Sequence, residues 1–322
     1  MAIKVVKPGL STTVQDLGRP GYYHIGIPIS GGMDRFALCA ANWLVGNKED
    51  AAVLEVAYQG PELEFTSDAT VAVTGAELPP KVDGQSRAIW TSFKIRKGQT
   101  LAFDFLKAGA RGYIAISGGI DVPVVLGSRS TYALGALGGY HGRKIAVGDE
   151  LALGSGGEIA EGRTVSPGLR RAPGSPAELR MMTGLYWHRI TKLAGQHFFE
   201  DTWKVAPEAD RIGYRFRGGR PFDFVPREPP FGAGSDPSNI VDACYPYGSV
   251  QVPGGTEPIM LHRDAVSGGG YFMIGTIISA DMDLVGQLQP NASARFTPVT
   301  MEQALAARHD RERLLNEIRE SL

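Results

Sequence analysis

The feature that most limits what this chain can fold into is a repeated alternation of short apolar runs and glycine-rich turns, sustained along nearly its whole length. In the first half the runs are Val53 to Ala57, Leu63 to Phe65, Thr70 to Val73, Ile89 to Ile95, Thr100 to Phe105, Tyr113 to Ser117 and Lys144 to Leu153. In the second half they are Leu179 to Thr183, Tyr214 to Phe216, Ser249 to Val252, Pro258 to Leu261, Tyr271 to Ile278 and Ala294 to Phe296. Runs of this length at roughly 8 to 12 residue spacing are those of a β-sandwich or barrel, because each can cross a sheet once and then must turn. The 42 glycines follow no collagen-like period and supply those turns. A mainly β fold is expected.

Two segments depart from the strand pattern. Asp34 to Gly46, DRFALCAANWLVG, places Ala37, Ala40, Ala41, Leu44 and Val45 on one face at helical spacing, with Asp34 as cap and Gly46-Asn47 as stop. Thr300 to Leu322 opens with the capping-box spacing of Thr300 and Gln303 and carries Leu305, Leu314, Leu315 and Ile318 as a weak apolar stripe, so a C-terminal helix is expected. Between Gly154 and Glu178 glycine, proline and charge replace any hydrophobic period, which puts the domain linker there. A chain of 322 residues exceeds the usual size of one core, so two domains are expected, over residues 1–160 and 175–322.

Charge and motif content exclude several function classes. Lys and Arg number 33 against 34 Asp and Glu, so no global field draws the chain to nucleic acid or an anionic membrane. No apolar stretch reaches the roughly 18 residues of a membrane span, and the start of the chain lacks the apolar region of a signal peptide. Cys39 and Cys244 form neither a disulfide framework nor a metal-ligand spacing, and a reducing cytoplasm is the expected setting. The six histidines show no zinc spacing, so no metal is expected. Neither a P-loop nor a G-x-S-x-G elbow occurs.

What remains are glycines beside polar groups. Ser30-Gly31-Gly32-Met33-Asp34 leads into the first helix, and its backbone N–H groups could hold an anion, with Ser30, Gly31 and Asp34 as the candidates; a tight loop with a helix cap is the plainer alternative. Arg129, within Gly127-Ser128-Arg129-Ser130-Thr131, suits a bidentate carboxylate or a tie between loops. In the second domain Arg211 could hold an anionic group near Tyr214, while Gln251 and the backbone of Gly269 and Gly270 could orient a planar amide. His262 and Asp264 lie two apart, on one face if this is a strand, so proton transfer is conceivable; a structural histidine is the alternative.

Taken in order, PGLSTTVQDLGRPGY, SGGMDRFALCAANWLVGN, LEVAYQGPELEF, ISGGIDVPVVLGSRST, ADRIGYRF, GSVQVPGGTEPIMLHRDAVSGGGY and GTIISAD resemble the allophanate-hydrolase subunit 2 family. That family includes the C-type subunit of 5-oxoprolinase, the carboxyltransferase region of urea carboxylase and the antagonist partner of a sporulation-kinase inhibitor. The resemblance implies two cyclophilin-like β-barrel domains and a partner homologous to allophanate hydrolase subunit 1, the kinase-inhibitor-like protein. In the oxoprolinase branch it implies ATP-dependent opening of the 5-oxoproline lactam together with an A-type subunit. In the carboxyltransferase branch it implies carboxyl transfer from carboxybiotin, with a biotin carboxylase and a biotin carrier. Either way no cofactor is held covalently by this chain, and ATP or carboxybiotin arrives through partner subunits. A regulatory partner that only binds and antagonises a kinase-inhibitor-like protein is the alternative. Two departures stand out: SGGGYFMIG at Ser267 to Gly275 replaces the common TGGYPKIG, placing Met273 or its neighbour where a lysine is usual, and LHRD at Leu261 to Asp264 replaces LLAD.

Overall fold

The computed structural model describes residues 1–157 and 159–322. It is mainly β, and the α-helices among the described residues are α1 (Arg35–Leu44), α2 (Lys192–Glu200), α3 (Met282–Val285) and α4 (Met301–Ser321). No helix is long and apolar enough to cross a membrane among those residues. The chain divides into two compact units, one of residues 1–19, 30–172 and 312–322, the other of residues 20–29 and 173–311.

The first unit contains a six-stranded and a five-stranded antiparallel sheet. The five-stranded sheet runs Ser11–Gln15, Val53–Ala57, Ala108–Ile116, Ala69–Glu77 and Ser92–Ile95, and the period-2 alternation of its inner strands sends side chains to two different cores. Val71, Val73, Ile114 and Ile116 join Ile3, Leu63, Phe65 and Leu101 of the other sheet. Ala72, Tyr113 and Ala115 point the opposite way and pack with α1. Sandwiching leaves α1 with no solvent face: Phe36 through Leu44 are all buried, where the sequence shows a single apolar stripe. The expected cap is present, with Asp34 Oδ1 accepting from the Ala37 N–H at 2.9 Å, and Gly46 ends the helix in the left-handed region.

The second unit is built on a closed seven-stranded barrel, in the order Ala177–Thr183, Met273–Ile277, Ser249–Gln251, Ile259–Leu261, Gly213–Arg217, Trp203–Val205, Ser293–Pro298. Closure is made by the first and last of these pairing in parallel, Ala177 opposite Ala294 through Met181 opposite Pro298. Closing the sheet removes its free edges, and one end of the core is filled by rings: Phe198, Trp203, Phe222 and Phe296 have centroids 4.7 to 6.4 Å apart. A two-stranded ribbon, Asn239–Cys244 with Gly268–Tyr271, accompanies the barrel.

The chain crosses between units at Ala172 and Pro173, inside the glycine- and proline-rich segment marked as the linker. Two exchanges carry no signal in the sequence. Residues 20–29 belong to the second unit, where the Ser267 hydroxyl donates to the Tyr23 carbonyl at 3.2 Å. The end of α4 belongs to the first, because Leu314, Leu315 and Ile318 pack with the α1 cluster. Its start is capped as expected: the Gln303 N–H donates to Thr300 Oγ1 and the Thr300 N–H to Gln303 Oε1.

Candidate functional site

In the first unit the two glycine-rich motifs are tied to each other through Asp16. Its carboxylate, almost fully buried, accepts from the Gly18 N–H at 2.7 Å, the Ser128 hydroxyl at 2.6 Å, and the Ser130 hydroxyl and Arg129 N–H, both at 2.5 Å. The buried Arg19 guanidinium donates to the Ser130 carbonyl. Arg129 itself donates from Nε to the Val122 carbonyl at 2.8 Å and lies 3.5 Å from Asp121, contacts of the loop-tie kind, with its side chain part exposed.

Several donors of the loop from Ser30 to Asp34 are taken by protein groups. The Gly32 N–H donates to the Asp16 carbonyl, the Met33 N–H to Glu55 Oε2 at 2.8 Å, and the Asp34 N–H to the Tyr113 hydroxyl, which donates in turn to Glu55. Glu55 thus stands where an external anion was expected, and Asp34 caps α1 from within. Ser30 and Gly31 are buried with φ of 54° and 87°, and a Cβ at Gly31 would lie 2.7 Å from the Gly18 nitrogen. These residues make a close loop contact in which Glu55 accepts from the Met33 N–H, while the enclosed Ser30 Oγ has no hydrogen-bond partner among the described residues.

The second unit brings Arg211 and Asp264 together directly. Arg211 Nε and Nη2 donate to the two carboxylate oxygens at 2.8 and 3.1 Å, and the Asp264 N–H donates to the Arg211 carbonyl at 2.9 Å. The pair is largely enclosed, at 18% and 7% side-chain exposure. His262 is built differently from expectation. It is fully buried, its Nδ1 accepts from the Arg263 N–H at 3.0 Å, and its Nε2 faces the Met282 carbonyl at 3.1 Å. That pattern fixes the neutral Nε2–H tautomer and presents neither nitrogen to a substrate. The structure does not bring His262 and Asp264 onto one hydrogen bond: Asp264 accepts from Arg211, and both ring nitrogens of His262 face backbone groups. Tyr214 is also fully buried, its hydroxyl 3.4 Å from the Gly286 carbonyl and its ring 6.0 Å from that of His262.

Gln251 is half-buried on its strand, opposite Met273. Gly269 and Gly270 lie in the ribbon, where a Cβ on Gly269 would sit 3.0 Å from the Tyr245 ring and one on Gly270 3.3 Å from the Ile240 carbonyl. Tyr245 closes this corner by donating to the Tyr271 carbonyl at 2.7 Å and accepting from the Tyr271 N–H at 2.8 Å.

Sequence reasoning singles out the neighbours of Arg263 and misses Arg263 itself. Its guanidinium lies over the Tyr247 ring at 4.3 Å, the residue is only 5% exposed, and its enclosed Nε has no hydrogen-bond partner among the described residues. Burial raises the Tyr23 phenol pKa, while the adjacent Arg263 lowers it and Asp264 raises it. A guanidinium enclosed on a π face, with no carboxylate partner among the described residues, is suited to hold an anionic or strongly polarised oxygen. The signal available is the LHRD string at Leu261 to Asp264, in which Arg263 stands between the two residues singled out.

The family model for the carboxyltransferase domain, subdomains A and B, matches residues 25–298. The chain is 34% identical over 319 residues to the C-type subunit of 5-oxoprolinase from Escherichia coli, covering 98% of this chain and 97% of that protein. It is 36% identical over 324 residues to the urea amidolyase of Lachancea kluyveri, covering 94% of this chain but only 17% of that much longer protein. Among solved structures, the urea carboxylase of Kluyveromyces lactis superposes with a TM-score of 0.92 at 31% identity, over 100% of this chain and 29% of that one. A family match over most of the chain, together with relatives above 30% identity along nearly its full length, establishes that the chain belongs to the carboxyltransferase domain family of subdomains A and B.

Proposed function

We propose that this chain is a subunit of a multi-subunit enzyme acting on a small amide or lactam, equivalent to the C-type subunit of 5-oxoprolinase, and that it is inactive alone. The observation that carries this is two-way coverage: the similarity to the E. coli protein extends over 98% of this chain and 97% of its relative. The partners are then a subunit of the allophanate hydrolase subunit 1 type and an oxoprolinase A-type subunit, and ATP is used through them. The cytoplasm is the setting, in keeping with two cysteines that are both free thiols. In this role Arg263 holds the anionic or carbonyl oxygen of the substrate, Gln251 offers both a donor and an acceptor to the planar amide, and the Arg211–Asp264 pair fixes the loop that carries Arg263.

A second activity is supported by the fold match to urea carboxylase: transfer of a carboxyl group from carboxybiotin, supplied by a biotin carboxylase and a carrier, to an amide-like nitrogen. Reconstitution separates the two. The chain is combined with the proteins encoded beside it and given either ATP and 5-oxoproline, with glutamate as the readout, or a carboxylated biotin carrier and a small amide. Glutamate formation that depends on this chain and falls in Arg263→Ala supports the first. Carrier-dependent carboxylation supports the second. Tight partner binding with no turnover in either system, unaffected by Arg263→Ala, leaves a regulatory subunit that antagonises a kinase-inhibitor-like protein.

A further inference from the structure

The second unit also contains a pocket that none of the candidate site residues above lines. Its volume is about 450 Å³, within the range of about 300 to 1,000 Å³ typical of small-molecule sites. Two arginines and an apolar wall define it: Arg189 and Arg227, then Val225, Ile240 and Val241, with the exposed Asp242 at its rim. The guanidiniums of Arg189 and Arg227 converge on one acceptor, both Nη2 groups donating to the Asn239 carbonyl, at 3.3 and 2.7 Å. Arg189 also donates to the Pro237 carbonyl at 2.5 Å and stands 5.8 Å from the Phe272 ring. It is 7% exposed, and its Nε and Nη1 have no hydrogen-bond partner among the described residues. Neither arginine has a carboxylate within ion-pair distance among the described residues.

Two cations drawn to one neutral carbonyl, one of them enclosed, repel each other and lack compensation. Burial and the nearby Arg227 both lower the pKa of Arg189, which is the same conflict expressed as proton affinity. An anion would relieve it, and the apolar wall selects one with an apolar body. We infer that the pocket between Arg189 and Arg227 binds a small organic carboxylate, the carboxyl group meeting the guanidiniums and the hydrocarbon part lying on Val225 and Ile240. The inference does not depend on the enzymatic role above, because it concerns different residues and can be read on the isolated chain.

The test is calorimetric titration of the full chain with benzoate, benzamide and inorganic phosphate, paired with methyl NMR. Benzoate should bind saturably and shift the methyl resonances of Val225 and Ile240, while the neutral isostere benzamide should not bind. Arg227→Ala removes an exposed side chain and should weaken benzoate by about tenfold to a hundredfold, the size of one charge-assisted hydrogen bond. Arg189→Met would also release the Pro237 and Asn239 carbonyls and could disturb folding, so Arg227→Ala is the deciding variant. The inference is overturned if benzoate does not saturate, if benzamide binds as well, if phosphate binds as tightly as benzoate, or if Arg227→Ala leaves the affinity unchanged.

Discussion

Replacing Asp264 by asparagine isolates what the buried ion pair contributes to the loop that carries Arg263. The carboxylate receives two charge-assisted hydrogen bonds from Arg211, at 2.8 and 3.1 Å. Each such bond contributes about 1.5 to 3 kcal/mol net, which gives an upper range of about 3 to 6 kcal/mol for the pair. Asparagine keeps one acceptor oxygen, and Arg211 at 18% exposure can recruit some water, so the expected loss for Asp264→Asn is about 2 to 4 kcal/mol. Exchanging both partners for apolar residues, Arg211→Met with Asp264→Leu, leaves no orphaned charge and should cost less than the single change. Urea unfolding at neutral pH, followed by the fluorescence of the barrel tryptophan Trp203, reads both as shifts in midpoint at constant slope. A loss below about 0.5 kcal/mol for Asp264→Asn, the size of an exposed pair, would refute the burial argument. So would a double variant less stable than Asp264→Asn.

Further outcomes follow from the same geometry. His262→Gln should lower stability by about 1 to 3 kcal/mol through the lost backbone contacts, yet leave turnover per folded molecule in the reconstituted system unchanged. Arg129→Ala should cost about 0 to 1 kcal/mol, because its ion pair with Asp121 is long and over a third exposed; loss of turnover with intact folding would contradict its role as a loop tie. Gly31→Ala should cost about 2 to 4 kcal/mol in urea unfolding, since the new Cβ meets the backbone of Leu17 and Gly18 at a φ of 87°. Burial, then the Glu55 and Asp34 charges, raise the Tyr113 pKa well above that of a free phenol. Its contribution to stability is therefore full below the unfolded pKa of about 10 and is lost as pH rises above it. Tyr113→Phe should be less stable than the parent at neutral pH, with the gap in urea midpoint narrowing above about pH 10.

The architecture is legible where local pattern and tertiary environment agree. The run Val53 to Ala57 coincides with a strand end to end, and the runs around Leu63, Val71, Tyr214 and Ala294 all form strands. Helix α2 escapes a sequence reading because its signal is weak in one dimension: Gly195 interrupts LAGQHFF, and that glycine is there for the Trp187 ring, which a Cβ would approach to 2.7 Å. Lys144 to Leu153 has the pattern of one strand, but the strand covers Glu150–Ala152, with Leu153 in an isolated bridge to Ile120, since Arg143 and the turn at Asp149 hold the preceding residues. The site is less legible for a related reason. Spacing places His262 and Asp264 on a common face, whereas both belong to a turn after the strand Ile259–Leu261, where alternation no longer applies. Residue types can nominate Arg211, but its partner is fixed only when two segments separated by 53 positions meet.

That last point sorts the arginines of the second unit by what they are for. Arg180 with Asp281, Arg211 with Asp264 and Arg311 with Asp283 each set a guanidinium against a carboxylate that is at most 7% exposed, and each joins segments distant in sequence. Such pairs balance the cost of burial internally, so they hold the framework and have little charge left to offer a ligand. Arg189 and Arg263 are enclosed to a similar or greater degree, with carbonyls or a ring for company and no carboxylate partner among the described residues. A fold selected only for stability would gain by pairing them or replacing them with apolar side chains of similar size. An enclosed cation with no carboxylate partner among the described residues is the physical argument that the second unit receives anionic groups, and Arg263→Met and Arg227→Ala should each lose ligand response before they lose stability. A variant of either kind that unfolds with its ligand response intact in the folded fraction would place that arginine with the framework instead.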